Sequence, residues 1–212
     1  MPLARATLAL LLMLACASAW AQTREQALGQ LAQRDAAVRR AALTRLGEVG
    51  VMADVKPLLT ALRDDDEDVR SEAERSIWRI WSRSGNAEVD ALFEAGVAQM
   101  ASGDLAEAIA TFTRVIERAP DFAEGWNKRA TVYFLAGELR KSLADCDEVI
   151  KRNPDHFGAL SGYALIYARL EYYERALDYS RRALRVNPNL DGVRANIEAL
   201  ERLIQQRRNQ TI

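Results

Sequence analysis

Three prolines at a fixed interval constrain this chain more than any other feature. Pro120, Pro154 and Pro188 fall 34 residues apart, and each is followed by Asp or Asn: Asp121, Asp155 and Asn189. A small residue precedes each proline at one shared offset (Ala108, Ser142, Ala176), and ahead of these stand Gly103, Gly137 and, departing from the pattern, Glu171. A period of this length marks stacked supersecondary units, because each unit leaves an apolar face that only its neighbour can cover. Within each period two amphipathic stretches flank a short break, as in residues 92–101 and 105–116. The unit is therefore a helical hairpin. Proline lacks a backbone donor and biases the preceding residue away from helical geometry, so each hairpin ends on schedule.

These residues resemble the tetratricopeptide repeat (TPR), a 34-residue pattern of W-x2-L-G-x2-Y, then A-x3-F, closed by Pro. Copy one supplies Leu92, Gly96, Gly103, Ala108, Phe112 and Pro120; copy two Trp126, Ala130, Tyr133, Gly137 and Pro154; copy three Leu160, Ala164, Tyr167, Ala176, Ala183 and Pro188. The chain departs from the pattern at Gln99, at Ser142, and at Cys146 and Ser180, which stand where copy one has Phe112. These departures are expected to loosen packing locally. Over residues 191–212 a further helix presents Val193, Ile197, Leu200 and Ile204 as one apolar stripe, which suits a helix that closes the stack. The resemblance implies three hairpins over about 89–122, 123–156 and 157–190, within residues 88–190.

A shorter period of 31 residues runs through residues 22–83. Leu31, Asp35, Val38, Arg39, Ala42 and Leu46 recur as Leu62, Asp66, Val69, Arg70, Ala73 and Ile77. This D-x2-V-R segment followed by A-x3-L resembles HEAT repeats, and two hairpins are expected here. The acidic run from Asp64 to Asp68 reads as a helix cap with its first-turn acids, because it lacks the alternating ligands, central Gly and closing Glu of a calcium loop. Residues 84–87 read as a linker, with Trp78 and Trp81 on one helix face just before it. The expected fold is an all-α solenoid, an alpha-alpha superhelix of HEAT-like and TPR helical hairpins with a C-terminal capping helix.

Residues 1–21 read as a secretory signal, with Arg5, an apolar core from residue 6 to 15 and the small-x-small motif Ala19-Trp20-Ala21 before Gln22. The apolar run is too short to span a bilayer. Leu14-Ala15-Cys16 also resembles a lipobox, so a lipid anchor at Cys16 is the alternative to release into the periplasm or medium. After cleavage Cys146 is the only cysteine, and its place on a second helix suggests a buried, inert thiol.

The charge balance, 29 basic against 30 acidic residues, supplies no footprint for nucleic acid or an anionic membrane. His156 is the single histidine, which excludes paired-histidine metal motifs, and no nucleotide-binding glycine loop or C-x-x-C is present. Neither a cofactor nor a metal is expected, nor is catalysis. His156 itself reads as a structural or neutral turn residue.

What remains is the groove that the resemblance implies, lined by the first helix of each hairpin. Its candidate partner-binding residues are Phe93, Val97 and Met100 of copy one, Asn127, Thr131 and Phe134 of copy two, and Ser161 and Leu165 of copy three. The set is unusually apolar for an exposed surface, which marks an interaction site unless other segments cover it. The Lys and Asn of the carboxylate clamp for chaperone tails are replaced by Phe93 and Val97. The expected function is a non-catalytic scaffold in the bacterial cell envelope that holds a protein or peptide partner. The alternative is an accessory or carrier subunit of an envelope enzyme complex.

Overall fold

The computed structural model describes residues 22–210. The expected export signal over residues 1–21, with its cleavage motif and Cys16, lies outside the described residues. Among the described residues every regular element is helical. The chain divides into two compact units, the first ending at Ile80 and the second beginning at Trp81.

The first unit contains α1 (Arg24–Gln30), α2 (Ala36–Val49), a 3-10 turn (Met52–Asp54), α3 (Val55–Ala61) and α4 (Glu67–Trp81), whose last residue crosses the boundary. Its 31-residue sequence period is also a period of structure. Asp35 Oδ1 accepts the Ala37 N–H at 2.8 Å to start α2, and Asp66 Oδ1 accepts the Val69 N–H at 3.0 Å to start α4. Arg39 Nη1 then donates to the carbonyls of Gln33 and Arg34, and Arg70 Nη1 to those of Asp64 and Asp65, at the same two offsets. Ala42, Leu46, Ala73 and Ile77 are fully buried beneath these caps.

The acidic run is held by this scheme rather than left open for a cation. Asp64 accepts both Nε and Nη2 of Arg39, at 2.7 and 2.6 Å, Asp68 meets Arg40 at 3.0 Å, and Asp66 is the cap. The side-chain hydrogen bond from Arg39, opposed by burial and helped by the Asp66 N–H and the nearby charges, holds the Asp64 carboxyl below its usual range.

The second unit is a stack of three hairpins: α5 (Ala87–Ser102) with α6 (Leu105–Arg118), α7 (Ala123–Leu135) with α8 (Leu139–Arg152), and α9 (Phe157–Arg169) with α10 (Tyr173–Val186). Helix α11 (Asp191–Gln210) follows. One turn geometry is used three times. The N–H of Asp104 reaches back to the Gln99 carbonyl, that of Glu138 to Tyr133 and that of Tyr172 to Tyr167, at 2.8 to 3.0 Å. Each such turn needs a residue at positive φ, supplied by Gly103 (84°), Gly137 (78°) and Glu171 (62°). Glycine takes this conformation without steric cost, whereas Glu171 does not. Arg207 of α11 reaches Glu171 by an ion pair and also donates to its carbonyl, which holds the strained turn in place.

Between the hairpins lie two apolar clusters. Phe93, Phe112, Val115, Phe122 and Val132 form the first, and Ala130, Cys146, Tyr163 and Ile166 the second, backed by Phe134, Tyr167 and Tyr179. Tyr163 and Tyr179 stack at 4.3 Å, and Arg182 lies over Tyr179 at 4.6 Å. Along α11, Leu200 and Ile204 are buried while Val193 and Ile197 are half-buried.

Candidate functional site

The three copies superpose their first helices in sequence, so the same place can be followed from copy to copy. Phe93, Asn127 and Ser161 share one position, as do Gly96, Ala130 and Ala164, and on the second helices Phe112, Cys146 and Ser180. In copy one this place is full. The Phe112 ring is completely buried, 5.8 Å from Phe93, and a Cβ built on Gly96 would approach its ring atoms to 2.8 Å. Phe93 also packs edge-on to Phe122 at 5.3 Å and is only 5% exposed. The expectation that Phe93 is an exposed groove residue is therefore corrected: its ring is core, because Phe112 and Phe122 close over it. Val97 and Met100 pack half-buried against the same cluster.

In copies two and three the large ring is replaced by a thiol and then a hydroxyl, and the space opens. A cleft of about 160 Å³ lies among α7, α8 and α9, and Asn127, Thr131, Phe134, Ser161 and Leu165 all line it, with Cys146 at its wall. One repeat further on, a wider cleft of about 530 Å³ lies among α9, α10 and the start of α11, lined by Ser161, Ala164, Leu165, Ser180, Asn189 and Asn196 among others. The two clefts share Ser161 and Leu165, so they form one continuous groove. Five of the eight candidate residues thus converge on it, and the three of copy one do not.

The walls of the first cleft are uncharged. No ionisable carboxylate or base lines the first cleft, and Asp191 is the single such residue at the second. Arg169 sits over the Phe134 ring at 5.5 Å, at the edge of the first. Three hydroxyls nearby are already committed: Thr131 donates to the Asn127 carbonyl at 2.9 Å, Ser142 to Ala130 at 2.7 Å and Ser161 to Phe157 at 2.8 Å. The Ser180 Oγ is buried and has no hydrogen-bond partner. Burial pushes the Cys146 thiol up to about 12, with the Asp145 and Asp147 carboxylates acting in the same direction, so the cleft contains no reactive thiolate.

A buried polar cluster fixes the orientation of Asn127. Its Nδ2 donates to Glu124 Oε2 at 3.0 Å, and the same carboxylate oxygen lies 2.8 Å from His156 Nε2. His156 Nδ1 accepts the Ala159 N–H at 3.1 Å as the cap of α9, which leaves the proton on Nε2, facing Glu124. Trp81 stacks on the imidazole at 4.3 Å. Burial pushes the Glu124 carboxyl up, but the His156 hydrogen bond and the Lys128 ammonium at 3.1 Å more than offset it, and the net direction is down. His156 is thus structural. Its pairing with Glu124 had no sequence signal, since the two residues are 32 apart and neither belongs to a motif.

A tetratricopeptide-repeat family model matches residues 93–150 and 127–191. Residues 93–191 are tetratricopeptide repeats. A TPR repeat-containing protein of Rhizobium etli is 35% identical over 123 residues, which are 55% of this chain and 60% of that relative; the match thus spans less than two thirds of the relative's length. Among solved structures, the first TPR of Spaghetti (RPAP3) bound to the HSP90 peptide SRMEEVD is similar at a TM-score of 0.54 and 21% identity, over 55% of this chain and 93% of that one. The Sgt2 TPR domain from Aspergillus fumigatus gives 0.56 and 23%, over 58% and 83%. At these identities the likeness is one of fold. Among the described residues no helix is long and apolar enough to cross a membrane.

Proposed function

We propose that the TPR segment is a non-catalytic scaffold that holds a segment of a partner protein in the groove between α7, α9 and α11. The observation that carries this reading is the convergence of Asn127, Thr131, Phe134, Ser161 and Leu165 on one cleft. Leu165 remains 44% exposed there, an apolar side chain left open on a groove wall. TPR structures of similar fold bind peptides, as RPAP3 does with its HSP90 peptide, and this supports a peptide segment as the ligand. The same fold is typical of interaction modules rather than enzymes. The signal-like residues 1–21 support a role for this scaffold in the bacterial envelope.

A crosslinking pull-down from the envelope fraction compares the native chain with Leu165→Glu. The side chain is half exposed, so this change is expected to leave helicity and thermal midpoint nearly unchanged while removing the captured partner. Equal recovery by both proteins would rule out the groove. Should the captured partner be an enzyme whose activity this chain alters, the accessory-subunit reading takes over. Export is checked by mass spectrometry of the mature terminus: Gln22 is expected, and a lipidated Cys16 would mean anchoring instead.

A further inference from the structure

Resting on that groove reading, we propose that the segment it holds is an uncharged, extended one, with a single Leu- or Phe-sized side chain seated in the first cleft and a main-chain carbonyl on Ser180 Oγ in the second.

The size of the first cleft sets the anchor. At about 160 Å³ it falls below the range of roughly 300–1,000 Å³ for whole small-molecule sites, and it is close to the ~150 Å³ apolar cavity that accepts benzene. One branched aliphatic or one aromatic side chain fits. Its surroundings are apolar in effect, because the hydroxyls of Thr131, Ser142 and Ser161 all donate to helix carbonyls. A charged side chain placed there would lose its hydration and meet no counter-ion among the residues that line the cleft.

The second cleft sets the polar contact. A buried hydroxyl without a partner is costly to leave unmade, and Ser180 lines a cleft whose other polar side chains are Ser161, Asn189, Asn196 and, at its rim, Asp191. A hydroxyl donor beside amide side chains suits a peptide group, and the one carboxylate at the cleft, Asp191, is exposed to solvent and paired with Arg194 at 3.5 Å, so the cleft offers little counter-charge to a carboxylate or an ammonium. Behind Asn127, which lines the first cleft, the buried Glu124 carboxylate can only accept, so it faces the Nδ2 end of Asn127 and turns the Oδ1 end away from itself, as an acceptor for a peptide N–H.

Geometry makes the segment extended. Neighbouring helices pack about 8–10 Å apart, and an extended chain advances about 3.3 Å per residue. The anchor and the carbonyl on Ser180 are therefore about three residues apart.

The test is a selection of random dodecapeptides displayed on phage against the mature chain, followed by synthesis of the winners and fluorescence titration at low and high salt. Winners are expected to carry a Leu or Phe without Asp, Glu, Lys or Arg in the three positions after it, and to bind equally at both salt concentrations. Ser180→Ala is expected to weaken them about three- to tenfold, the loss of one neutral hydrogen bond. The paired change Ala130→Gly with Cys146→Phe rebuilds the filled pocket of copy one and is expected to abolish binding. Leu165→Glu, which leaves the core untouched, is expected to do the same. Acidic winners with salt-sensitive binding that both of those variants still abolish would overturn this inference and leave the groove reading standing. The absence of any winner sensitive to Leu165→Glu would overturn both.

Discussion

Two helical glycines in the TPR segment should respond to the same substitution with opposite sign. Gly162, in the middle of α9, has Cys146 Sγ as its nearest neighbour, 3.7 Å from a built Cβ, which is ordinary contact. Gly162→Ala should therefore stabilise by about 0.5–1 kcal/mol, the usual cost of Gly in a helix interior. At Gly96 the Cβ would lie 2.8, 2.9 and 3.1 Å from three ring carbons of Phe112. That ring is fully buried and held by Phe93, so it has nowhere to turn. Overpacking of this kind costs about 1–3 kcal/mol, and subtracting the same helix gain leaves Gly96→Ala destabilising by up to about 2.5 kcal/mol. For a unit of this size 1 kcal/mol moves the thermal midpoint by roughly 3–6 °C, within reach of far-UV circular dichroism. Phe112→Cys, which alone should cost about 3–5 kcal/mol by its cavity, completes a cycle. The double variant reproduces the Ala130 and Cys146 pair of copy two, and it should be less destabilised than the sum of the singles by about 1–3 kcal/mol. If Gly96→Ala raises the midpoint as Gly162→Ala does, or if the cycle is additive, the close contact between Gly96 and the Phe112 ring is not what fills copy one.

Replacing Glu171 by Gly should raise stability by up to about 1 kcal/mol in thermal melts, since relief at φ 62° exceeds the loss of an exposed ion pair with Arg207; a lowered midpoint would show that the ion pair outweighs the backbone. The carboxyls of Glu124, Asp54 and Asp64 are all held below their ordinary values in the folded state. Their contribution is therefore complete above the unfolded values near pH 4, roughly 3.9 for Asp and 4.3 for Glu, and is lost as the pH falls through the lower folded values. Urea denaturation from pH 7 to 3 should show a plateau that gives way below about pH 4, with the fall reduced in Glu124→Gln; stability that rises on acidification would contradict the assignment.

The repeat architecture was legible because its signals are local. A proline ends each hairpin, a residue at positive φ makes each turn, and the D-x2-V-R segment of the first unit writes a cap and an arginine clamp into adjacent positions. The groove was legible only in part. The first-helix rule assigned Phe93 to it without asking what stands opposite on the second helix. The sequence did carry that information in the series Phe112, Cys146 and Ser180, and in Gly96, whose missing Cβ admits the ring. Reading those departures as loosened packing understated them, for they decide which copies are closed and which are open. Glu124 is a different matter, since a carboxylate on a first helix reads as solvated until the fold brings His156, itself stacked on Trp81, against it.

The last helix of the chain shows how one element can serve packing and site together. Its apolar stripe reads as a cap, and over Leu200 and Ile204 it is one: both are buried, with Arg181 and Glu201 pairing at 2.9 Å beside them and Arg207 reaching back to Glu171. Val193, about two turns before Leu200 on the same face, is only half-buried, and the residue that lines the cleft with it on α10 is the small Ser180 rather than a ring. A Phe at that position would give the start of α11 something to close upon. With a serine there, the helix is anchored by its second half and held off the hairpin by its first, and the gap is the second cleft. The size of one side chain on α10 therefore sets whether the end of the stack is sealed along its whole length or opens where α11 begins.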